Sequence, residues 1–230
     1  MKNIKTLLIA VSSFLFFQPF TTVAQWSTNA AVNNQICGLS GEQAIPKIAT
    51  CANGDTYIGY FSNESGNYNV RLQRLDAQGN ILWASNGILL SNTTAFNAAP
   101  KVVATSSGNI VVAWQADNVI IMQKITPAGS LLWGPAGITL TSANRMTWPQ
   151  LLPVGTDEVI MKYFDDSGPI NAPTRHVFAQ RYNASGTAVW SSPAAISLAG
   201  GISAWTQIFP FINDGSDGFV RTCKIVYGLK

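Results

Sequence analysis

Three stretches of the chain repeat one another at fixed spacing, and a chain built this way folds as an array of equivalent units. Gln73, Arg74, Gly79 and Trp83 recur as Gln123, Lys124, Gly129 and Trp133, and again as Gln180, Arg181, Gly186 and Trp190. The similarity runs outward in both directions. Upstream, Pro46-Lys47-Ile48, Pro100-Lys101-Val102 and Pro149-Gln150-Leu151 open the units. Downstream, Gly87-Ile88-Leu89-Leu90, Gly137-Ile138-Thr139-Leu140 and Ala195-Ile196-Ser197-Leu198 close them.

Each unit holds four apolar-rich segments of roughly 4–8 residues, a strand length too short for ordinary helices. Gly- and Asn-rich turns separate them, and Gly79, Gly129 and Gly186 stand where a hairpin must reverse. A repeat of roughly 50 residues with four strands matches a propeller blade. The expected fold is therefore all-β, a β-propeller-like array of four-stranded blades, about three complete plus a partial fourth. The boundaries read as a signal peptide at 1–24, an N-terminal orphan strand of a blade at 25–43, blades at 44–97, 98–147 and 148–204, and an incomplete blade at 205–230. Trp83, Trp133 and Trp190 recur in register and are expected to be buried between sheets, each indole N–H reaching a backbone carbonyl. Trp148 and Trp205 also share a register, and with Trp114 they too read as core.

Residues 1–24 carry Lys2 and Lys5, a short apolar stretch from Leu7 to Phe20, and Thr22-Val23-Ala24 before Gln25. This is the pattern of a cleaved secretory signal. A membrane anchor is the alternative, but the stretch falls short of the roughly 20 residues that span a bilayer. Without Lys2 and Lys5 the formal charge of +3 drops to about +1. No basic stripe remains to suit a nucleic acid. Only 11% of residues are charged, so Asn, Ser, Thr and Gln must supply the polar surface. Cys37, Cys51 and Cys223 form an odd set, which argues against a disulfide scaffold and leaves a Cys37–Cys51 bridge open.

The repeats and the Gln25-Trp26-Ser27-Thr28 start resemble propeller-like arrays in large surface or secreted proteins of the Bacteroidota, which often continue into a type IX secretion sorting domain. The resemblance covers nearly all of residues 25–222. It implies no catalytic residue, and with no sorting domain visible it implies a truncated product. Residues 76–83 are also similar to the Trp-docking motif of quinoprotein blades, but the turn is one residue shorter and Thr126 and Asn183 replace Asp76. Sialidase Asp-boxes place Asp two residues before Gly, whereas Asp76 lies three before Gly79. Neither activity is implied.

Candidate sites are few. His176, the single histidine, aligns with Asn69 and Val119 and reads as an ordinary strand position. Asp165-Asp166-Ser167-Gly168 begins an insertion running to about Arg175, a solvated hairpin tip first and a calcium loop second. Asp214-Gly215-Ser216-Asp217-Gly218 is likewise a turn before it is a metal loop. The expectation is no enzyme, with no catalytic, cofactor-binding or metal residues and no cofactor. The expected role is an exported binding or interaction module for a protein or glycan, with no nucleic acid and no membrane span in the mature chain. The alternatives are a structural spacer or, less favoured, a glycan-active or quinoprotein-like propeller enzyme.

Overall fold

The computed structural model describes residues 29, 31, 34–91, 93–199 and 211–221. The expectations placed on the signal segment, Trp26, Trp205, Cys223 and the opening strand of the fourth unit lie outside these residues. Residues 1–34 separate from 35–230, and the fold described here lies in the latter.

The described residues contain strands and no helix. Strands β1 (Gln43–Thr50), β2 (Thr56–Ser62), β3 (Asn69–Leu75) and β4 (Ile88–Leu89) form one antiparallel sheet in chain order. Strands β5 (Asn97–Ala104), β6 (Ile110–Ala116), β7 (Val119–Ile125) and β8 (Ile138–Leu140) form a second. Strands β9 (Arg145–Val154), β10 (Glu158–Ser167), β11 (Thr174–Tyr182) and β12 (Ala194–Ser197) form a third. A pair, β13 (Phe211–Asn213) and β14 (Phe219–Arg221), follows. The inner strands β1, β5 and β9 touch in succession, as in the blades of an incomplete propeller.

Each sheet is covered on both faces, which explains the unbroken apolar runs at β2 and β6. Tyr57 and Leu72 of the first sheet meet Val102, Val112 and Trp114 of the second. Val111, Ala113 and Met122 on the reverse of the second meet Met161 and Tyr163 of the third. Leu152, Ile160 and Ala179 on the far side of the third pack with Phe219. Burying each such aliphatic side chain contributes about 1.5–3 kcal/mol.

The repeated residues tie sheet to sheet. Gln73 Nε2 donates to the Ala84 carbonyl and Gln123 Nε2 to Gly134, at 2.7 and 2.6 Å, fixing the approach to the Trp. Trp83 Nε1 then donates to the Pro127 carbonyl of the next repeat at 3.0 Å, and Trp133 Nε1 to Ala184 at 3.2 Å. The indole lies over the next repeat's turn glycine. A Cβ on Gly129 would come within 3.6 Å of Trp83, and one on Gly186 within 2.9 Å of Trp133 and 2.4 Å of Ile138. Both glycines also have positive φ, 89° and 84°. Glycine therefore serves the turn and the seat of the neighbouring Trp together. Gly168 has φ 81° but nothing within 4 Å of a Cβ. Changing Gly168 to Ala is expected to cost about 1 kcal/mol, and Gly186 to Ala about 2–3 kcal/mol, the difference being the clash. Urea melts of the two variants check this; equal losses would mean the indole seat contributes nothing.

Asp76, Thr126 and Asn183 do one job. Asp76 Oδ1 accepts from the Asn80 N–H, Thr126 Oγ1 from Ser130, and Asn183 Oδ1 from Thr187. Any short side-chain acceptor closes this turn, so the Asp is replaceable.

The proline triplets lie inside the inner strands and mark bulges. Ile45, Ala99 and Trp148, each just before the proline, have φ of 52°, 49° and 52°. The registers slip between Ala44 and Lys47, between Ala98 and Lys101, and opposite Lys162 and Phe164. A left-handed residue bearing a Cβ costs roughly 1–2 kcal/mol. The bulge turns the side chain out of the stack, and this corrects one expectation: Trp148 is 45% exposed, not core. Trp114 is core at 1% exposed, Trp133 is buried, and Trp83 and Trp190 are half-buried.

The 165–175 insertion is mostly a strand extension, because β10 and β11 pair out to Ser167 and Thr174. Cys37 and Cys51 are free thiols. Cys37 packs on the outer face of the first sheet, beside Ile58 and Tyr60, whereas Cys51 lies in the cluster between the first and second sheets. With a sheet between them, a bridge cannot form.

Candidate functional site

The turns that follow the inner strands gather at one end of the array. Residues 51–55, 105–109, 154–158 and 214–218 come from four successive repeats, and between them lies a groove of about 720 Å³. Tyr57, Arg74 and Pro127 line it with residues of those turns, among them Asp55, Ser106 and Asp217.

Its electrostatics come from the basic residue after each repeated Gln. Arg74 pairs with Asp55 of its own sheet and donates to the Pro127 carbonyl of the next, 2.6 Å away. The second repeat has Asn109 where the first has Asp55, so its own turn offers Lys124 no acid. Lys124, fully buried, reaches forward to Asp157 of the third sheet at 2.5 Å and to the Ala184 carbonyl at 3.1 Å. Arg181 holds Glu158 at 2.7 Å and lies 3.7 Å from Asp217. Asp157 also accepts from Thr105, Ser107 and Asn109. Burial alone would raise its pKa; the hydrogen bonds from Lys124, Ser107, Thr105 and Asn109 outweigh it and hold the carboxyl below its ordinary value.

Asp217 and Tyr57 also line the groove. Asp217 is about half exposed, with Oδ1 accepting from the Gly155 N–H. The Tyr57 hydroxyl is buried and has no hydrogen-bond partner among the described residues. Burial pushes its pKa up to about 12, although the Arg74 charge works the other way. A buried hydroxyl without a partner costs about 1–3 kcal/mol.

Of the candidate-site residues singled out in the sequence only Asp217 lines the groove, as part of its wall instead of a metal loop; the others lie elsewhere. His176 stands cross-strand from Asp165. Asp166 is held by Arg175 at 2.7 and 2.8 Å and by Thr147, a buried network with no free carboxylate edge. Asp165 accepts from Ser142 and Asn144. Asp214 Oδ1 caps its own turn at Ser216 and Gly218. Among the described residues no group of three His, Cys, Asp or Glu side chains could hold a metal. Asp55 and Tyr57 were missed because no motif marks them; the signal was the recurrence of a polar turn after each inner strand.

No family model and no curated protein matches the chain. Solved structures do resemble it. An arabinanase of Bacillus subtilis aligns at 14% identity and TM-score 0.42 over 78% of this chain and 67% of that one. An endo-arabinase of Bacteroides thetaiotaomicron aligns at 12% and 0.42, over 66% and 61%. An α-L-arabinofuranosidase of Coprinopsis cinerea aligns at 13% and 0.40, over 72% and 55%. The chain thus spans less than two thirds of the length of two of these three. A polysaccharide lyase is among the other neighbours. At such identities the likeness concerns the fold.

These neighbours overturn the expectation that the chain is no enzyme, since they are glycoside hydrolases and a lyase. That expectation rested on the scarcity of candidate sites, the few acidic residues and the single histidine together. Glycoside hydrolysis ordinarily needs only a pair of carboxyl groups, and 11 acidic residues leave room for that.

Proposed function

We propose that the chain is an exported propeller-type module that takes a glycan segment in the groove between its inner-strand turns. The observation carrying this reading is the groove itself, which the turns of successive repeats wall with serine, asparagine and carboxylate groups. Sugar hydroxyls both donate and accept, and they match such a lining better than an apolar ligand does. The arabinan-active enzymes that share the fold agree with this ligand class. Export rests on residues 1–24.

Hydrolysis is the second reading. Asp55 and Asp217 line one groove from separate sheets, and two carboxyl groups are what glycoside hydrolysis ordinarily uses. Asp55 is held by Arg74, whereas Asp217 is about half exposed to the groove.

Affinity electrophoresis against arabinan, xylan and other neutral polysaccharides tests binding, and reducing-sugar release tests hydrolysis. Ala52 is exposed on the groove rim. Changing it to Trp is expected to weaken glycan retention at least tenfold with an unchanged melting temperature. Retention of no polysaccharide, or retention indifferent to Ala52→Trp, would sink the proposal.

A further inference from the structure

Directly after each left-handed residue and its proline, β1 presents Lys47, β5 presents Lys101 and β9 presents Gln150. The position is equivalent in the three repeats, and the inner strands touch in succession. Lys47 and Lys101 are both partly buried. Neither meets a carboxylate or a carbonyl among the described residues, whereas Arg71, Arg74, Lys124, Arg175 and Arg181 each hold an acid. The Gln150 side-chain N–H₂ is buried and also lacks an acceptor.

A desolvated ammonium without a counter-charge is costly, and proteins normally pair it. Here burial and then the Lys47 charge pull the Lys101 pKa below the ordinary lysine value, with no acid acting against them. Across from Lys47 and Lys101 the sheet register puts Gly59 and Ala113, side chains with no acceptor. Lys47, Lys101 and Gln150 recur as donors along the row, and among the described residues no acceptor meets these three.

We propose that this row binds an oxyanion, the carboxylate or sulfate of an acidic glycan. The glycan as carrier rests on the reading above; the anion rests on the donors alone. Its position on the inner strands sets it apart from the groove, whose lining does not include Lys47, Lys101 or Gln150.

Titration calorimetry of the full chain tests it with four probes: tetragalacturonate, a sulfated carrageenan tetrasaccharide, maltotetraose and inorganic sulfate. At least one acidic tetrasaccharide is expected to bind and the neutral one to bind at least tenfold more weakly. The first two probes separate carboxylate from sulfate recognition, and sulfate alone reports whether the anion suffices. Affinity should fall as salt rises. Lys47→Met and Lys101→Met are each expected to weaken acidic binding at least tenfold. Lys101→Met should also hold or raise the melting temperature, since it removes an uncompensated charge. Ala52→Trp should leave acidic binding unchanged. Failure of all anionic probes to bind, binding that survives both lysine changes, or a sharp loss of stability in Lys101→Met overturns the proposal. Acidic binding without any neutral-glycan retention in the groove would instead overturn the groove reading and leave this one standing.

Discussion

Replacing Asp157 with Ala is expected to destabilise the fold by about 3 kcal/mol, because it strands a buried cation. Lys124 has no exposed side-chain surface, and Asp157 is its only carboxylate partner among the described residues. The loss stays near the low end for a broken buried pair, since the Ala184 carbonyl still accepts from Nζ. The pair Lys124→Met with Asp157→Ala should recover much of that loss by removing the charge with its partner. Chemical denaturation of the two variants checks this, and a double variant no better than Asp157→Ala alone would contradict it. A pH dependence follows from the same group. Its folded pKa is depressed, so its stabilisation is full above the unfolded value of about 4 and fades as pH falls through the lower folded value. Asp157→Asn should flatten the acid side of the stability curve.

Changing Trp133 to Ala is expected to cost about 3–5 kcal/mol, the loss typical of emptying a large buried aromatic site. Trp133 is 8% exposed and lies between the second and third sheets. The change removes three things at once: the packing over Gly186, the donation to Ala184, and the contact with Lys124, whose Nζ lies 5.9 Å from the ring. His176→Ala should cost less than about 1 kcal/mol, as for ordinary partly exposed positions. Thermal melts of both variants decide the matter. Losses of similar size would mean that the repeated Trp does not hold sheet to sheet. The two predictions overlap, since Lys124 and Trp133 share the Ala184 carbonyl, so the combined variants should fall short of additivity.

How much of this was legible in the sequence follows from how far apart the interacting residues lie. The spacing of Gln, Gly and Trp and the short apolar segments determined four strands per repeat and the all-β class, since strand and turn preferences act over a few neighbouring residues. The interchange of Asp76, Thr126 and Asn183 belongs to the same local level.

The contacts between sheets were not legible. Trp83 and Pro127 are 44 positions apart, and Lys124 and Ala184 are 60. Repetition alone made Trp148 look like core. The left-handed bulge before Pro149 turned it to solvent, and no local pattern announces a bulge. Cys37 and Cys51 looked close along the chain, yet the first sheet stands between them. The groove arises only where the turns of successive repeats converge, and the unpaired state of Lys47 and Lys101 exists only once each neighbour has chosen its own partner. Local preference therefore determined the unit. The stacking of sheets decided which polar groups were consumed in holding units together and which were left to meet a ligand, because only packing in three dimensions sets which donors and acceptors come within reach.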